Sequence, residues 1–79
     1  MDDILRKEWA ATIDSMVAGT HGGVNTDEKD GNIYFILDEV LLKATRAYSN
    51  VIKALQTFEG LHDHANIWRI EGGWKNPYK

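Results

Sequence analysis

The sequence predicts an all-α fold, a small helical domain, on three observations. Apolar residues near the N-terminus recur at spacings of three and four. A longer run at residues 33–58, IYFILDEVLLKATRAYSNVIKALQTF, holds a heptad spacing. Between them lies a polar gap rich in glycine. The expected architecture is an amphipathic helix over residues 3–18, a long central helix over 32–58 and a short C-terminal segment, all in one domain spanning 1–79.

The first helix is carried by Leu5, Trp9, Ile13, Met16 and Val17, which share one face. Asp3 and Lys7 stand four apart in the favourable order, and Gly19 supplies the stop. Residues 19–32, GTHGGVNTDEKDGN, read as a connector that is long for so small a domain, with a helical start near Thr26. In the central helix Leu37, Ala44, Val51 and Phe58 hold one seam position and Val40, Ala47 and Ala54 the other. Gly60 ends it. The first third of that helix, with Phe35, Ile36 and Leu42 outside the stripe, is apolar nearly all round and needs cover on two sides. The remaining chain is too short to provide both covers, so a second subunit is expected. The alternative is an α+β fold with strands at 32–37 and 66–70, because the β-branched and aromatic residues of NIYFIL suit a strand that pairs with NIWRI. The end of the chain reads as a short helix over 63–71 or as that strand, followed by a hinged tail, GGWKNPYK.

Composition narrows the function classes. With 79 residues the chain holds one core of marginal size. The absence of cysteine excludes disulfides and thiolate zinc sites. Stability must then come from packing, from another kind of metal site or from self-association. A net charge of −3 argues against a nucleic-acid partner. The acidic, amphipathic opening MDDILRKEW is unlike a signal peptide, and no apolar run approaches the ~20 residues of a membrane span. The expected setting is cytoplasmic, with no membrane partner.

Motifs for chemistry do not close. Residues 28–39, EKDGNIYFILDE, offer carboxylates at calcium-loop spacing. Starting at Glu28, however, Ile33 falls where the turn glycine is required. Starting at Thr26, Gly31 fits but Leu37 replaces the chelating glutamate. A turn at Asp30, Gly31 and Asn32 that caps the long helix is the better reading. His21, His62, Asp63 and His64 are metal-ligand types without metal-ligand spacing, and they read as solvated loop residues. Asp14-Ser15-Met16 resembles the attachment site of acyl carrier proteins, but Ser15 lies inside the first helix instead of opening a later one. The THGGVN loop lacks the Lys-Ser/Thr of a phosphate-binding loop.

No catalytic residue, metal or cofactor is therefore expected, and the chain is expected not to be an enzyme. It reads as an interaction protein, a homo-oligomeric adaptor or inhibitor of a macromolecular partner. Antitoxins, immunity proteins and phage anti-defence proteins are of this size and acidity. The expected interface comprises Tyr34, Phe35, Ile36, Leu41, Leu42 and Tyr48 on the long helix, with Trp74 and Tyr78 as anchors in the tail. The alternative is an oligomer that holds an anionic metabolite or nucleotide in the glycine-rich loop through His21, Gly22, Gly23 and Asn25.

Overall fold

The computed structural model describes residues 2–22, 24–55, 58–62 and 66–79. Its elements are α1 (Asp2–Val17), β1 (Val24–Lys29), β2 (Asn32–Leu37), α2 (Glu39–Ala47), α3 (Ser49–Leu55), β3 (Phe58–His62) and β4 (Ile67–Ile70). The strands form a four-stranded sheet in the order β1-β2-β4-β3, with every neighbouring pair antiparallel. The fold is α+β, which overturns the all-α expectation and takes the alternative. NIYFIL is a strand and pairs with IWRI, Ile33 opposite Ile70 and Phe35 opposite Trp68.

The N-terminal helix forms as expected, with Gly19 at φ 73° just beyond it. The long helix over 32–58 does not form. Its first six residues alternate, with Ile33, Phe35 and Leu37 buried and Tyr34 and Ile36 facing outward. A strand sorts this apolar run onto two faces, whereas a helix would have left it greasy all round. Asp38 then breaks the run. Its backbone is extended (φ −74°, ψ 174°), and its Oδ1 accepts the Leu41 N–H at 2.8 Å. The N-cap is therefore Asp38, and neither Asp30 nor Asn32 caps a helix. Tyr48, at φ −110° and ψ 24°, closes α2 before α3 begins. The heptad seam dissolves accordingly. Leu37 lies on a strand, Phe58 and Gly60 lie in β3, and Val40 is 79% exposed.

The connector over 19–32 is also shorter than expected, because most of it is β1 and the turn after it. Asp30 (φ 53°) and Gly31 (φ 77°) form a two-residue hairpin loop between Lys29 and Asn32, which are register partners. Both loop residues need positive φ in such a turn, and Asp-Gly provides it at low cost. β1 is polar because it is an edge strand, where charges discourage pairing with other chains. Among its described side chains Val24 joins the margin of the core, while Thr26 Oγ1 donates to Met16 O at 2.9 Å and satisfies a carbonyl at the end of α1.

The core lies between the helices and one face of the sheet. Trp9, Ile13 and Met16 of α1 meet Ile33 and Phe35 of β2, Trp68 and Ile70 of β4, Leu41 and Leu42 of α2, and Ile52 of α3. Phe35 and Trp68 are fully buried, and their rings sit 5.1 Å apart at 32°. Burial of two such rings helps to hold β2 against β4, and truncating either to alanine costs ~3–5 kcal/mol.

Candidate functional site

The first candidate is the face of the sheet turned away from the helices. Strand alternation and register place Tyr34 opposite Arg69 and Ile36 opposite Ile67 on this face, with Asp27 beside Tyr34. A sheet covered on one side only is normally polar on the other. Here Ile36 and Ile67, on the two inner strands, form one end of the open face, and Ile36 is 47% exposed. Polar groups of both signs follow the pair along the strands toward the hairpin. Lys29 Nζ lies 3.3 Å from Asp27 Oδ2, and Arg69 Nη2 lies 3.5 Å from Glu71 Oε1. The Arg69 guanidinium also sits 6.0 Å from the Tyr34 ring centre. Hydrogen bonds from Arg69 first and Asn32 second hold the Tyr34 phenol below its ordinary pKa, against desolvation and the Asp30 charge.

The second candidate is a cleft of about 330 Å³ between α1, the loop after it and the start of α2. Trp9 and Thr12 line it from α1, His21 and Gly22 from the loop, and Asp38, Val40, Leu41 and Ala44 from the other wall. Tyr48 backs the Trp9 indole, with ring centres 5.8 Å apart. His21 Nδ1 lies 2.8 Å from Gly22 O. Of the residues expected to hold a ligand, His21 and Gly22 reach this cleft. Asn25 belongs to β1 opposite Ile36, and Gly23 lies outside the described residues. The indole comes from α1 and Asp38 and Val40 from the start of α2, so no local motif announces their meeting.

The third feature is the C-terminal tail, which folds back on α1. Trp74 Nε1 donates to Asp14 Oδ1 at 2.7 Å, Asn76 Nδ2 donates to Asp14 Oδ2 at 2.8 Å, and Lys79 Nζ stands 3.0 Å from the same oxygen. Lys7 Nζ sits 5.8 Å from the Tyr78 ring centre. The chain reaches this position through Gly72 and Gly73, at φ 76° and 83°, with Gly72 N–H donating to Asn32 Oδ1 at 3.0 Å. Asp14 has its pKa lowered by Asn76, then Trp74, with Lys79 adding to them against a smaller effect of burial.

These placements sort the residues expected at an interface. Tyr34 and Ile36 are on the open face, and Tyr48, 42% exposed, stands beside Trp9. Phe35, Leu41 and Leu42 belong instead to this domain's own core, because strand alternation and the α2 inner face turn them inward. Trp74 and Tyr78 are held against α1, which differs from two anchors on a free hinge. His62 lies in β3, while Asp63 and His64 lie outside the described residues. Among the described residues no group of acidic and histidine side chains is placed to hold a metal ion, and no helix is long and apolar enough to cross a membrane. No protein-family model, curated protein or solved structure matches the chain.

Proposed function

We propose that this chain is a small non-enzymatic interaction protein that works as a homo-oligomer, joining copies through the open face of the sheet. The observation that supports this is the Ile36–Ile67 pair on a face that no helix covers among the described residues. The expected reason for a second subunit, a helix apolar on two sides, is replaced by this face. The partner is another copy, because a two-fold interface sets one patch against itself and so needs both signs of charge within that patch. Asp27 and Glu71 supply one sign, Lys29 and Arg69 the other. Asp27, Glu28 and Lys29 guard the β1 edge against strand addition, which favours association through the face over association through that edge.

Such a dimer leaves the helical layer free for a different macromolecule, as an adaptor or inhibitor requires. Antitoxin, immunity and phage anti-defence proteins fill roles of that type, and a cytoplasmic setting goes with them. Sedimentation equilibrium of the chain and of Ile36→Lys tests the reading. The expected result is a dimer at tens of micromolar that the substitution converts to monomer without changing the circular dichroism spectrum. A monomer at hundreds of micromolar, or a dimer indifferent to Ile36→Lys, contradicts it.

A further inference from the structure

We propose that the cleft between α1 and α2 binds a small amphipathic cation, an aromatic or branched alkyl body carrying a protonated primary amine. The cleft and the open sheet face use different residues, so this inference stands apart from self-association. Its volume of about 330 Å³ is at the lower end of ligand pockets, roughly 300–1,000 Å³. The walls are mainly apolar, with Trp9 and Leu41 at its base and Val40, 79% exposed, at its mouth. A valine so exposed beside an indole is surface that an apolar body would cover.

The polar groups decide the sign of the ligand. No lysine or arginine is among the described residues that line the cleft, and Asp38 contributes a carboxylate. One oxygen of that carboxylate is used by the Leu41 N–H, which fixes its place and leaves the second as an acceptor. His21 donates from Nδ1 to the Gly22 carbonyl, which leaves Nε2 as an acceptor in the neutral ring. Two acceptors and one negative charge suit an ammonium group with its three donors. The Asp38 charge repels the phosphate or carboxylate that the glycine-rich loop alone suggests. The Trp9 ring adds attraction for a cation placed against it.

Three probes with one skeleton test the assignment: 2-phenylethylamine, 2-phenylethanol and phenylacetate. Each is titrated into ¹⁵N-labelled protein, following the Trp9 indole N–H and the Gly22 and Leu41 amides. The amine is expected to saturate these signals with an affinity about tenfold or more above the alcohol and the acid, the worth of one charge-assisted contact. Asp38→Asn keeps the helix cap, because asparagine caps as well as aspartate, and is expected to erase the preference for the amine. Val40→Lys, at an exposed position, places a cation at the mouth and is expected to weaken the amine similarly. Equal binding of the three probes, tighter binding of the acid, shifts centred elsewhere, no saturation by the amine, or a preference that survives Asp38→Asn would each overturn the proposal.

Discussion

The Trp74 indole N–H donates to Asp14 Oδ1 at 2.7 Å and joins residues sixty positions apart in the chain. Asn76 and Lys79 complete the clasp from the same tail. One carboxylate on α1 therefore holds the last turn of the chain to the first helix. Asp14→Ala removes the acceptor for all three. The expected loss is on the order of 1–2 kcal/mol, kept small because the Asp14 side chain is about a quarter exposed. It should appear as a lower urea midpoint, with faster amide exchange at residues 74–79. Unchanged exchange in the tail would show that the clasp does not hold it.

The same carboxylate sets a pH dependence. Its folded-state pKa is depressed, first by Asn76 and then by Trp74, so the clasp stabilises fully above the ordinary aspartate value of 3.8. That contribution is lost as pH falls through the lower, folded value. Denaturation midpoints measured downward from pH 5 should fall less steeply in Asp14→Asn than in the parent chain. Parallel curves would deny Asp14 this role.

Thr45 lies fully buried on α2, and its Oγ1 has no hydrogen-bond partner among the described residues. An unpaired buried hydroxyl costs free energy that a methyl group of the same shape does not. Thr45→Val should raise stability by ~1 kcal/mol in chemical denaturation. A loss of stability would mean that the hydroxyl is satisfied.

Arg69 and Tyr34 face each other on the open sheet, and the phenol is held below its usual pKa of about 10. Folding thus favours the phenolate, and the gain grows as pH rises through the folded value toward the unfolded one. Phenolate absorbance should show Tyr34 ionising early, and Arg69→Leu should move that ionisation up. An ionisation indifferent to Arg69 would remove the contact from the face.

Much of this was legible in the sequence, and the gaps have physical reasons. α1 is plain because five apolar residues repeat on one face and Gly19 stops it. Residues 32–37 are ambiguous because five consecutive apolar residues, Ile33 to Leu37, satisfy a helix and a strand alike. The signals that decide between them flank the run. Asp30-Gly31 is a hairpin turn, and Asp38 is an N-cap that starts the helix six residues later than the periodicity suggests. β1 is illegible by apolar pattern, since an edge strand with one exposed side needs almost no apolar residues. The clasp at Asp14 and the cleft around Trp9, Asp38 and Val40 join distant parts of the chain, and no local spacing encodes such meetings.

Pairing through the open sheet face is the central claim, and an isotope-filtered NOE experiment on a mixture of labelled and unlabelled chains tests it most directly. The account predicts intermolecular contacts from the Ile36 and Ile67 methyls to Ile36, Ile67 and Tyr34 of the other copy. A dimer whose intermolecular contacts come instead from Val40 and Tyr48, with none from Ile36 or Ile67, would contradict it.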